Sequence, residues 1–173
     1  HYRGYGPSTG QPSEAALFAD ALGIYDAMQR RLRPARTFAV GISLGSGVAT
    51  YLSRQRPLAG ILLVTPFDSI EAIAREAYFW VPVRLLLQDR FASVEHMQGN
   101  DTPVAMIAAE GDHVVRPQRT AALRNRIANL VFERSLAGAA HATIYELPAY
   151  AATFREAFEA LERASPALRS AAR

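Results

Sequence analysis

The apolar run Phe38-Ala39-Val40-Gly41-Ile42 passes directly into Ser43-Leu44-Gly45, and a helix-compatible stretch follows. The run has strand composition, Gly41-x-Ser43-x-Gly45 allows a tight turn, and Gly45, Gly47 and Ala49 let the next helix pack closely on a sheet. Such a turn leaves the serine oxygen standing clear of the sheet edge.

The rest of the chain repeats the alternation. Tyr2 to Pro12 holds three glycines and two prolines and reads as a loop. Ser13 is placed to cap a helix carrying the stripe Leu17, Ala21, Ile24, Tyr25, Met28 and Leu32, which Pro34 ends. Strands are expected over 37–42, 58–65, 103–109 and 130–134, and helices over 44–54, 118–127 and 149–164. The near-continuous apolar run of the second strand suits a parallel strand covered on both faces. Residues 68–97 read as two helical stretches broken near Pro82, and they hold the greasiest non-strand segment, Phe79 to Leu87. The expected class is α/β, with a doubly wound, mainly parallel sheet and a small helical cap at 68–97. One domain is expected over all 173 residues.

Composition removes several function classes. The chain has no cysteine, so thiol catalysis, disulfides and cysteine-type zinc sites are out. All 19 basic side chains are arginine, and the formal net charge is only +3. The one dense cluster, Arg30-Arg31-Leu32-Arg33, reads as a solvated helix end, and no nucleic-acid partner is expected. No run is long and apolar enough to span a bilayer as a helix. Metal-ligand clusters, phosphate-cradling glycine loops and redox residues are missing too, so neither metal nor cofactor is implied.

Ser43 is the candidate nucleophile, and a serine hydroxyl needs an adjacent base to act. His141 is the candidate base, in the small-residue loop Ala137-Gly138-Ala139-Ala140-His141 between the last strand and the last helix. His1 is terminal, His96 lies on an expected helix, and His113 adjoins the candidate acid. Asp112 follows the third strand in a Gly111-Asp112 turn and is suited to orient His141. Glu110 is the alternative acid; Asp112 is preferred because the turn carries a short side chain over the sheet edge.

The chain resembles the α/β-hydrolases, most closely the branch described as lysophospholipase-like or aminopeptidase-like. The resemblance rests on five segments: Tyr2-Arg3-Gly4-Tyr5-Gly6-Pro7-Ser8-Thr9-Gly10, Gly41 to Gly47, Pro66-Phe67-Asp68-Ser69, Gly111 to Val115, and Gly138 to His141. It implies a triad of Ser43, His141 and Asp112, with the Leu44 N–H as one oxyanion donor. In the family the Arg-Gly-Tyr-Gly loop follows the fourth strand of the sheet. A His-Gly loop further upstream supplies the second oxyanion N–H. This sequence starts at the tail of that fourth strand, so the expectation is a fold without its N-terminal strands and with half its oxyanion hole. Losing one such donor lowers turnover by about 100- to 1,000-fold.

The expected function is hydrolysis of an ester, thioester or amide through an acyl-enzyme, on a small-molecule or lipid-like acyl substrate. The alternative is a catalytically silent scaffold or interaction module, associating with itself through an exposed sheet edge. Aromatic and leucine side chains of the cap either line an acyl pocket or pack the cap on the sheet. Arg3 and Tyr5 are expected mainly to pack their own loop.

Overall fold

A computed structural model describes residues 1–165 of the chain. Residues 166–173 of the expected domain lie outside the described part. The elements run α1 (Glu14–Leu32), β1 (Phe38–Ile42), α2 (Leu44–Gln55), β2 (Gly60–Val64), α3 (Ile70–Ala77), α4 (Val83–Leu86), α5 (Ser93–Met97), β3 (Val104–Ala109), α6 (Pro117–Arg124), β4 (Leu130–Leu136) and α7 (Pro148–Ala164). A short 3-10 turn, Ile144–Glu146, precedes α7.

The four strands form one parallel sheet in the order β1-β2-β3-β4. Crossovers between neighbouring parallel strands are almost always right-handed, so helices that link strands in this order share one face. The packing obeys that rule. Ile61, Leu63, Val104 and Met106 meet Ala49 of α2, Met97 of α5 and Leu123 of α6. The alternate residues Leu62, Val64, Ala105 and Ile107 turn to the other face and meet Ala157 and Leu161 of α7. Strand periodicity thus divides one apolar run between two helical layers. Every residue of β2 is buried, as its continuous apolar composition requires.

α1 begins where Ser13 accepts a hydrogen bond from the Ala16 N–H at 3.2 Å. Its Leu17 and Phe18 pack against Val48, Phe67 and Phe91. Arg56 on the C-terminal side of α2 holds Asp26 of α1 through two bonds of 2.8 and 2.9 Å. The apolar stripe expected on α1 is only partly used: Ile24 and Leu32 are exposed, and so are Val40 and Ile42 of β1. Among the described residues β1 pairs on one side alone, so this corner of the sheet has little to pack against.

Residues 68–97 depart from the expected two helices. Three short ones form, α3, α4 and α5. Pro82 stands immediately before α4, where its missing N–H costs nothing, and α4 lasts only one turn. The segment is tied to the core at both ends, by Phe67 before it and by Phe91, Ala92 and Met97 within it. Its middle is not: Phe79 and Leu85 are each 83% exposed. These side chains neither fill the core nor pack the segment onto the sheet.

Candidate active site

All four strands point the same way, so the loops leaving their carboxyl ends share one edge of the sheet. Ser43 follows β1, Asp112 follows β3 and His141 follows β4. The distant sequence positions converge there for that topological reason.

At Ser43 the backbone takes φ 50° and ψ −120°, an unfavourable conformation for a residue with a side chain. Surrounding bonds hold it. The Ser43 N–H donates to the Val64 carbonyl at 2.9 Å, and the Ser43 carbonyl accepts from the Ser46 N–H at 2.8 Å and the Ser46 hydroxyl at 2.7 Å. Gly41 is required by space. A Cβ there would stand 2.5 Å from the Gly45 carbonyl oxygen and 2.8 Å from the Ala49 Cβ. Gly45 has more room, since its added Cβ would meet only the Tyr2 hydroxyl, at 3.2 Å. Leu44 is the first residue of α2, so its N–H has no acceptor within the helix and is free to donate at the sheet edge.

The Ser43 hydroxyl lies 2.8 Å from His141 Nε2, and His141 Nδ1 lies 2.7 Å from Asp112 Oδ2. A carboxylate only accepts, so Nδ1 carries the proton and Nε2 accepts from serine. Asp112 Oδ1 accepts from the Val114 and Val115 N–H groups at 2.9 and 2.7 Å. The Asp112 side chain is 3% exposed and that of His141 17%. Glu110, the alternative acid, is exposed and takes no part, and His1 and His113 are exposed as well. His96 is held elsewhere, edge-on to Phe18 and Tyr51.

Three features of this edge were not anticipated. The Gly111 N–H donates to the Ala139 carbonyl at 2.9 Å, joining the acid's loop to the histidine's loop; a Cβ on Gly111 would stand 3.0 Å from that oxygen. Tyr145 lies near the same site, and partial burial, with the charge of Asp112 adding to it, pushes its phenol above the usual range. Arg119 of α6 bridges Asp68 at 2.8 Å and Glu76 at 3.0 Å, tying α3 and the loop after β2 to the sheet edge. Burial raises the Asp68 carboxyl above its ordinary range, and Arg119 opposes that rise. None of the three has a local signal in the sequence, whereas the Asp112 turn beside them does, since Asp bonding two residues ahead is a common turn device. Arg3, expected to pack its loop, forms a paired double hydrogen bond with Asp20 of α1. Tyr5 is exposed.

No protein-family model matches the chain. An uncharacterized protein of Mycobacterium tuberculosis H37Rv is 40% identical over 116 residues, covering 66% of this chain and 41% of that protein. The lysophosphatidylserine lipase ABHD12 of Danio rerio is 36% identical over 132 residues, covering 66% of this chain and 35% of that protein. The chain therefore spans well under half the length of these relatives. Among solved structures, a monoacylglycerol lipase of Paleococcus ferrophilus superposes with a TM-score of 0.66 at 18% identity, over 95% of this chain and 82% of that one. An alpha-beta serine hydrolase homologue from Coxiella burnetii gives 0.62 at 17% identity, over 99% and 67%. Four parallel strands with helices on both faces, a strained turn between β1 and α2 and these neighbours lead to one conclusion: the chain has the α/β-hydrolase fold.

Proposed function

We propose that this chain carries a serine-hydrolase site that cleaves an ester, thioester or amide of a lipid-like acyl compound. The observation behind the reading is the unbroken hydrogen-bonded series from the Ser43 hydroxyl through His141 to Asp112. Ser43 Oγ attacks the carbonyl carbon while its proton passes to His141 Nε2. Asp112 keeps the proton on Nδ1 and stabilises the imidazolium. The Leu44 N–H steadies the oxygen that gains charge. The bond to the leaving group then breaks, and His141 returns the proton to the departing atom. Water, activated by His141, releases the acid and restores Ser43.

A lipid-like acyl group is favoured because two relatives by sequence or structure carry lipase names, one for lysophosphatidylserine and one for monoacylglycerol. We read residues 68–97 as a cap belonging to the same domain. A fluorophosphonate probe should label the protein and fail on Ser43→Ala. Equal labelling of both would sink the reading. Ser43→Ala should also lower hydrolysis of a p-nitrophenyl ester by about 10⁴-fold or more.

One observation favours the alternative of a silent interaction module: among the described residues β1 pairs on one side alone, and its Val40 and Ile42 are exposed. That reading predicts no probe labelling and a concentration-dependent increase in mass by light scattering.

A further inference from the structure

Ser43 has a strained neighbour at the carboxyl edge of the sheet. Thr65, the first residue past β2, takes φ 46° and is 1% exposed. A β-branched residue is a rare occupant of that region, where glycine sits without cost. A threonine held there needs a compensating contact. The contact is local: the Thr65 hydroxyl donates to the Val64 carbonyl at 2.8 Å. The same oxygen accepts from the Ser43 N–H at 2.9 Å. A carbonyl oxygen has two lone pairs and can serve both donors. Two left-handed residues, Ser43 with φ 50° and Thr65 with φ 46°, thus share one acceptor.

That acceptor belongs to a peptide unit that spans the site. The Val64 carbonyl reaches the turn that presents Ser43, and the Thr65 N–H donates to the Ile107 carbonyl of β3 at 2.8 Å. β3 is the strand whose exit loop carries Asp112. The unit is also the last rung of β2, because the chain turns away at Thr65. A last rung has no following rung to keep its carbonyl aligned, and here the hydroxyl does so. One residue later the Pro66 carbonyl accepts from the buried Thr120 hydroxyl of α6 at 2.8 Å, which fixes the departing chain.

We propose that Thr65 is a positioning residue for the nucleophile. Its hydroxyl holds the Val64 carbonyl in the orientation that anchors the Ser43 N–H, and so keeps the Ser43 hydroxyl 2.8 Å from His141 Nε2. Thr65 itself touches no reacting atom. Its effect on turnover rests on the serine-hydrolase reading, whereas its effect on the Ser43 backbone does not. A slightly displaced nucleophile leaves substrate binding intact but meets the carbonyl carbon in poorer geometry. The loss then falls on kcat and spares KM.

The test compares Thr65→Val, which keeps the shape and drops the hydroxyl, with Thr65→Ser, which keeps the hydroxyl. Amide hydrogen exchange is read by NMR well below the melting temperature, and hydrolysis of a p-nitrophenyl ester is followed in parallel. In Thr65→Val the Ser43 N–H should exchange about tenfold faster, with the Leu62 and Leu63 amides unchanged. Its kcat should fall about tenfold at constant KM. Thr65→Ser should stay within about twofold of the parent in both measurements. Thr65→Gly adopts this φ without strain, so it should repeat the Thr65→Val result even if valine prevents folding. Parent-like Ser43 exchange in the folded variants that lack the hydroxyl overturns the proposal, whatever the protein hydrolyses. Faster Ser43 exchange with kcat unchanged overturns it too, since the anchor would then not govern the reaction. Faster exchange throughout β2, or an equal loss in Thr65→Ser, reduces Thr65 to general packing and counts against it. Selective Ser43 exchange in a chain whose parent hydrolyses no ester and takes no fluorophosphonate supports the anchor and overturns the hydrolase reading alone.

Discussion

The β2 run Ile61–Val64 and the run from Tyr78 to Leu87 are both strongly apolar, yet the first is wholly buried and the second holds Phe79 and Leu85 at 83% exposure. The difference lies in what surrounds each run. β2 has a strand on either side, α7 over one face and α2, α5 and α6 over the other. Its backbone groups are satisfied by the ladders, so its side chains can be sealed away at no polar cost. The second run leaves the sheet, and its backbone is tied by local turns only. Hydrophobicity drives burial where a scaffold satisfies the backbone on all sides. Where it does not, the same residue types become a surface.

That contrast can be broken or sharpened by mutation. The largest effect is expected at the centre of the sheet. Leu62→Ala removes a side chain of zero exposure packed against α7 and should cost about 2–5 kcal/mol in urea unfolding. Next comes Gly41→Ala, which forces a Cβ to 2.5 Å from the Gly45 carbonyl. It should cost about 1–3 kcal/mol through overpacking and displace Ser43, so ester turnover should fall further than stability alone explains. Normal turnover in a stably folded Gly41→Ala protein would show that the turn is less constrained than its contacts imply.

A smaller effect is expected where the segment rejoins the core. His96 sits between Phe18 and Tyr51, and burial holds its imidazole below the ordinary histidine range. The unfolded chain therefore takes up a proton first as pH falls. The contribution of neutral His96 is complete above the ordinary histidine range and is lost as pH drops through the depressed folded value. Melting temperatures across mildly acidic pH should decline less steeply in His96→Phe than in the parent; identical slopes would remove His96 from the account. The smallest effect belongs to the exposed run: Leu85→Ala should change stability by no more than about 0.5 kcal/mol. A cost matching that of Leu62→Ala would mean that Leu85 is covered in solution and would break the comparison.

Much of this arrangement was legible in the residues. The four strands follow from short apolar runs between turn signals, and β1, β2 and β3 lie within the expected limits. β4 runs two residues past its expected end, to Leu136, because its partner β3 continues to Ala109 in register with it. α6 ends at Arg124 rather than near Ile127, where successive turns replace it. Ser43, Asp112 and His141 could be singled out as candidates because each sits in a loop that the strand alternation sends to one edge. Less legible was anything set by a partner far along the chain. The Gly111–Ala139 bond and the Arg119 bridge to Asp68 and Glu76 have no local pattern. The stripe on α1 was visible, but periodicity cannot say which part of a stripe meets a neighbour.

By itself the sequence determined the period of each element, the order of strands and helices, and which residue types reach the loops. Those follow from steric and hydrophobic rules acting over a few residues. Only the tertiary structure decided that the Ser43 hydroxyl comes within 2.8 Å of His141, that Asp112 rather than the exposed Glu110 meets that histidine, and that Phe79 and Leu85 face outward. Each depends on the parallel stacking of strands tens of residues apart, and no local preference carries that distance.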